Sequence, residues 1–129
     1  MIQTTPRMLL TGRILSGLVI ILLLADAVVT LLCPPSLQEE MKATGFEISA
    51  HTSVGLIGLA STLLYAIPRT ATLGAILLTG FLGGAICTHF RTEGLGSPPQ
   101  IVSLVLGLLA WGGLYLRDAR LRAILPLRS

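Results

Sequence analysis

A chain of 129 residues that is 53% hydrophobic and only 12% charged, with a mean hydropathy of +0.84, lies far from soluble domains, in which about a quarter of residues are charged. That composition excludes a water-soluble globular enzyme and points to lipid as the solvent. The net charge of +3 does not mark a nucleic-acid partner, because the Arg residues sit at the ends of apolar segments with no aromatic residues interleaved among them.

Four apolar segments, Ile14 to Leu32, Ile48 to Ile67, Ala71 to Thr88 and Ile101 to Leu116, are each long enough to cross a bilayer core as a helix. They predict an all-α integral membrane protein, a four-helix transmembrane bundle forming one domain over 1–129, with helices at about 10–33, 48–67, 70–90 and 99–117. The first segment follows Arg7 and Arg13 and is stopped by Cys33-Pro34-Pro35. Its start and its Ala25-Asp26-Ala27 also resemble a cleavable signal sequence. The apolar run continues through Val28, Val29, Leu31 and Leu32, however, and an acidic residue is unusual just before a cleavage point, so a retained helix is expected.

Asp26 is the most informative residue of this helix, since a carboxylate within a span costs several kcal/mol unless it is paired, protonated or facing a polar cavity. It is a proton carrier or ligand contact in one reading and a packing determinant in the other. Helical spacing puts Asp26, Thr30 and Cys33 on one face. The stretch from Pro34 to Glu47, with Glu39, Glu40 and Glu47, is expected to be a loop.

His51 opens the second helix, and Pro68 with Arg69-Thr70 separates it from the third. In the third, Gly80 and Gly84 form a G-x-x-x-G pair whose first reading is close helix packing and whose alternative is a cavity lined by exposed backbone. Its end carries Cys87, His89 and Arg91. Cys87 and His89 are two residues apart and point to nearly opposite sides of an intact helix. Gly94 to Pro99 divides the third helix from the fourth, and Pro98, Pro99 and Gln100 can supply the first turn of the latter. Trp111 and Tyr115 are expected as interfacial anchors, and the alternating apolar and basic tail from Leu121 to Arg128 is expected on the membrane surface.

Orientation follows from the basic residues. Arg7, Arg13, Arg69, Arg117, Arg120, Arg122 and Arg128 fall on one side, and only Lys42 and Arg91 fall on the other. Seven against two predicts both termini in the cytoplasm. Cys33, His51, Cys87, His89 and Arg91 then share one level at the outer ends, with Asp26 roughly 10 Å deeper at 1.5 Å per residue. Such a set suits a proton-coupled redox site, a quinone head-group site or a soft-metal site. No closely spaced ligand pair supports the metal, and each residue also has an ordinary reading: the histidines as interfacial residues, and the cysteines as packing residues or as a disulfide.

The run Ile67-Pro68-Arg69-Thr70-Ala71-Thr72-Leu73-Gly74-Ala75 through Gly84-Ala85, then Thr88-His89-Phe90-Arg91, and later Trp111-Gly112-Gly113-Leu114-Tyr115-Leu116-Arg117-Asp118, resembles the DoxX-like family of small bacterial membrane proteins. Arg13-Ile14-Leu15-Ser16-Gly17 and Asp26 resemble its first helix. Asp26, His89 and Arg91 match the family pattern, whereas Thr30 stands where a Lys is expected, and Cys33 and His51 lie outside the pattern. The resemblance implies a four-helix transmembrane bundle in the bacterial inner membrane and, through the family's name, a link to quinone reduction and sulfur oxidation. The expectation is a redox-associated or quinone-interacting accessory subunit. Asp26 and His89 would lie near the site and Arg91 would contact an anion, with quinone as the one cofactor to consider. The partners would be the lipid bilayer, a redox subunit and, through the glycines, a second copy. A transporter-like or structural bundle is the alternative.

Overall fold

The computed structural model describes residues 5–124, which are almost entirely helical. Six helices follow in order: α1 (Pro6–Leu32), α2 (Pro35–Ala43), α3 (Ala50–Ala66), α4 (Ala71–Glu93), α5 (Pro98–Arg117) and α6 (Ala119–Ile124). A single 3-10 turn, Pro68–Thr70, joins α3 to α4. The four longer helices form an antiparallel ring in which α1 packs on α3 and α5, and α4 packs on the same two. Both ends of the described chain therefore lie at one end of the ring, with α2 at the other.

Local chemistry explains the boundaries. Thr5 caps α1, its hydroxyl accepting from the Met8 N–H at 3.2 Å, and Pro6 takes the first helical position, where its missing N–H costs nothing. Pro34 and Pro35 end α1 through Cys33, which adopts a left-handed φ of 50°. α5 begins on Pro98 and Pro99 as the prolines suggest, and the buried Gln100 side chain donates to the Gly94 carbonyl and to Ser97 Oγ.

Two expectations need correction. The segment after Pro34 is not a loop, because Pro35 starts a nine-residue helix. Leu37, Glu40, Met41 and Thr44 recur at the spacing of one helical face, and that face turns toward the bundle. The tail does not lie free on a membrane surface as far as Ile124. Leu121 joins the core and Arg122 is 1% exposed, its Nη1 donating to the carbonyls of Tyr115 at 2.6 Å and Leu116 at 3.0 Å. A cation at the C-terminus of α5 meets carbonyls that the helix leaves unbonded and the negative end of its dipole. Leu125 to Arg128 of the tail fall outside the described residues.

Val19, Tyr65, Leu78 and Leu114 form the centre of the core and are essentially inaccessible. The outer surface carries large apolar side chains, among them Leu10, Ile14, Ile21, Ile57, Ile76 and Leu108. An apolar exterior of this extent is stable only in lipid. Residues 6–32, 68–93 and 98–117 are long and apolar enough to cross a membrane; α3, at 17 residues, is apolar and shorter.

The Gly80–Gly84 pair does not pack against another helix of the chain: a Cβ at either position, or at Gly83, would meet nothing within 4 Å. The close approaches occur elsewhere. A Cβ on Gly12 would come within 2.7 Å of the Gly113 carbonyl oxygen, and one on Gly74 would fall on the Tyr65 backbone. Thermal melts in detergent should separate these roles. Gly74→Ala is expected to cost at least about 1–3 kcal/mol, because backbone cannot yield as a side chain can. Gly80→Ala should be neutral or stabilising by up to about 1 kcal/mol through helix propensity. Equal losses at the two positions would refute the assignment.

Candidate functional site

At the end of the ring opposite the termini, α1, α2, α3, α4 and α5 surround a cavity of about 610 Å³. Most of its wall is apolar, contributed by residues such as Leu22, Phe46, Ile57, Phe81, Val102 and Leu106. Gly80 and Gly84 lie in this wall, so the exposed-backbone reading of the glycine pair describes their place in the chain. The polar part consists of Asp26 and Thr30 from α1, Glu40 and Thr44 from α2 and its end, Thr88 and His89 from α4, and Ser103 from α5.

Of the six residues singled out in the sequence as candidates for polar chemistry, the fold brings two to the cavity, Asp26 and His89. Asp26 and Thr30 share the face that their spacing predicts. Thr30 Oγ donates to the Asp26 carbonyl at 2.8 Å, leaving the Asp26 carboxylate free to face the cavity. α4 remains helical through Glu93, so Cys87 and His89 diverge: Cys87 is exposed, and the His89 side chain is 12% exposed on the cavity wall. His89 Nε2 lies 3.5 Å from Glu40 Oε1 of α2, and Nδ1 lies 3.5 Å from Glu93 Oε1 one turn along α4. Nδ1 is buried without a hydrogen bond.

The other four residues stand elsewhere. Arg91 is exposed, with its guanidinium beside Gly45 in the connection after α2. Cys33 forms the left-handed end of α1, and both it and Cys87 are free thiols. His51 does structural work. The Thr30 carbonyl would normally accept from residue 34, which is a proline without an N–H. His51 Nδ1, 3.1 Å from that oxygen, supplies the missing donor and ties α3 to α1.

A second polar network, at the end carrying the termini, is not singled out by sequence reasoning. Arg117 Nε donates to Ser16 Oγ at 3.0 Å, Ser16 Oγ lies 2.9 Å from the Tyr65 hydroxyl, and that hydroxyl donates to the Ala110 carbonyl. Since Tyr65 spends its one proton on Ala110, Ser16 donates to Tyr65, and the chain runs in one direction through α5, α1, α3 and back to α5. The Arg117 guanidinium also stands 5.5 Å over the Tyr65 ring. The signals for it were Ser16 and Tyr65, two hydroxyls among several in mainly apolar spans. Trp111 donates across to α4, to Thr79 Oγ at 2.6 Å. Glu40 and Glu93 were also missed, although Glu93 stands one turn from His89 and Glu40 shares the inward face of α2.

Long apolar helices, an apolar exterior and a half-open cavity with a few polar groups define a small multi-pass membrane protein with a ligand-sized pocket. The chain belongs to the DoxX-like family, whose sequence profile matches residues 14–113 and so takes in α3 and α4 whole and most of α1 and α5. No curated protein and no solved structure matches the chain.

The assignment of His51 is open to direct test. His51→Ala should lower stability in detergent by about 1–3 kcal/mol, the cost of orphaning a buried carbonyl. His51→Asn, whose amide can place a donor near the Nδ1 position, should recover part of it. If His51→Ala melts like the parent protein, the carbonyl has another partner and the structural role fails.

Proposed function

We propose that this DoxX-like protein is a bacterial inner-membrane accessory subunit, redox-associated, whose cavity receives the head group of a quinone. The observation that carries the reading is the meeting of Asp26 and His89 on one mainly apolar cavity, reached from helices α1 and α4 that are distant in sequence. A quinone couple needs an apolar chamber for its ring and groups able to exchange protons with its oxygens; a carboxylate and an imidazole are such groups. Arg91, exposed and away from the wall, has no part in this site.

The orientation belongs to the same proposal. All four long helices cross the membrane, α3 at about 26 Å being near the lower limit for a bilayer core of about 30 Å. The end with Arg7, Arg13, Arg69, Arg117 and Arg120 faces the cytoplasm. The cavity then opens in the outer half, and electrons reach the quinone from a partner subunit, since this chain carries no nucleotide or redox cofactor motif of its own. The acidic side chains in the cavity also favour the transporter-like alternative, in which a solute moves through the same chamber.

A quinone analogue with a short alkyl tail, presented to the detergent-purified protein in both redox forms, should bind. At least one form should lose about tenfold in affinity in Asp26→Ala and in His89→Ala, as expected when a hydrogen bond to a charged group is removed. Binding indifferent to both substitutions would overturn the site. Vesicle flux abolished by Asp26→Asn, without quinone binding, would favour the transporter.

A further inference from the structure

The polar side of the cavity is unbalanced. Each of its three threonines has given its hydroxyl proton to a helix carbonyl: Thr30 to Asp26 at 2.8 Å, Thr44 to Glu40 at 3.0 Å and Thr88 to Gly84 at 2.9 Å. The imidazole of His89 is flanked by Glu40 and Glu93. Among the described residues, no Lys or Arg lines the wall, and the Asp26 carboxylate has neither a hydrogen bond nor an ion pair; the charge facing it is the Glu40 carboxylate. Apart from the Ser103 hydroxyl and the His89 imidazole, what the wall offers a guest is acceptor oxygen carrying negative charge, set among apolar side chains.

Two carboxylates with no Lys or Arg on the wall select what enters. An anionic head would meet like charge in a medium of low dielectric. A head that only accepts hydrogen bonds, such as a quinone carbonyl, would find few free donors. A head that donates through O–H or N⁺–H would satisfy the carboxylates with charge-assisted bonds. We propose that the cavity takes a lipid-soluble molecule with a hydrogen-bond-donating head, a hydroxyl or an ammonium on an apolar body, and discriminates against anionic and acceptor-only heads. This rests on the cavity being the ligand site and specifies its chemistry: for the quinone couple, the reduced form is the one held. The two sources of that chemistry, a hydroquinone and an amphipathic amine, differ in charge and can be told apart.

The test uses four probes with the same alkyl tail, carrying a hydroquinone, the corresponding quinone, a primary ammonium or a carboxylate, titrated anaerobically into the full chain in neutral detergent. The hydroquinone or the ammonium should bind about tenfold or more tightly than the quinone and the carboxylate. Asp26→Asn, which turns an acceptor into a group that also donates, should shrink that preference by about the same factor. Glu40→Gln, on the exposed helix α2, provides a second variant, and thermal melts without probe confirm that both variants fold. Tight binding of the ammonium alone would uphold the head-group rule and remove the redox reading. A quinone preferred over its hydroquinone, with the preference dependent on Asp26 and His89, would keep the redox reading and overturn this inference. A carboxylate probe that binds as well as the ammonium also overturns it, and failure of all four probes overturns both.

Discussion

A bilayer supplies no water to an unpaired polar group, so each polar side chain carried into this fold has to find its partner inside the protein. Several hydroxyls meet that demand within their own helix. Ser61 and Thr62 bond carbonyls one turn back, at 2.8 and 2.7 Å, and Thr79 does the same at 2.8 Å while accepting from Trp111. Pro34 removes a donor and His51 returns one from another helix. On the cavity wall, the Asp26 carboxylate, the Ser103 hydroxyl and the buried Nδ1 of His89 are left without a hydrogen bond. That three such groups meet on one wall gives the cavity its polar side.

The two ends of the ring use the same materials differently. Toward the termini, glycine and serine bring backbones together, with Gly12 against Gly113 and Gly74 against Tyr65, and the Arg117–Ser16–Tyr65 chain crosses the gap that remains. Arg122 completes that end by closing the carbonyls of α5. Toward the other end, the small residues of α4 face no neighbour, and removing side chains there leaves a chamber rather than a contact. A tightly bonded end and a hollow end in one short bundle allow the site to be open without loss of the helix arrangement.

Much of this could be read from the residues. Hydropathy and proline placement gave the four long helices to within a few residues, because lipid imposes a length and proline imposes a stop. Asp26 was legible for the same reason, as a charge where the solvent tolerates none, and the opposed directions of Cys87 and His89 followed from helical geometry alone. The role of Gly80 and Gly84 was not legible: a G-x-x-x-G pattern is identical whether a helix or a void lies over it, and only the reach of the neighbouring side chains decides. Arg122 and Arg117 read as topology signals because charge near a helix end says nothing about which carbonyl or hydroxyl it will meet. Helix α2 was hidden by its own first residues, since a double proline is both a stop for one helix and a favourable start for the next.

That hidden helix matters most for the site. The ends of α1 and α4 away from the termini border a groove onto which Asp26 faces. The Leu37–Glu40–Met41–Thr44 face lines one side of that groove, with Met41 buried and Glu40 within 3.5 Å of His89. One nine-residue segment thus supplies part of the wall and, in Glu40, both a second carboxylate and the partner of the imidazole. The acidic character of the cavity is therefore a tertiary property: Asp26 contributes half of it from inside the span, and the other half arrives on a helix whose remaining charges, Glu39 and Lys42, point away from the chamber. The amphipathic pattern of α2 places one acid inside and one outside, and that division of otherwise equivalent glutamates sets the electrostatics that any guest must match.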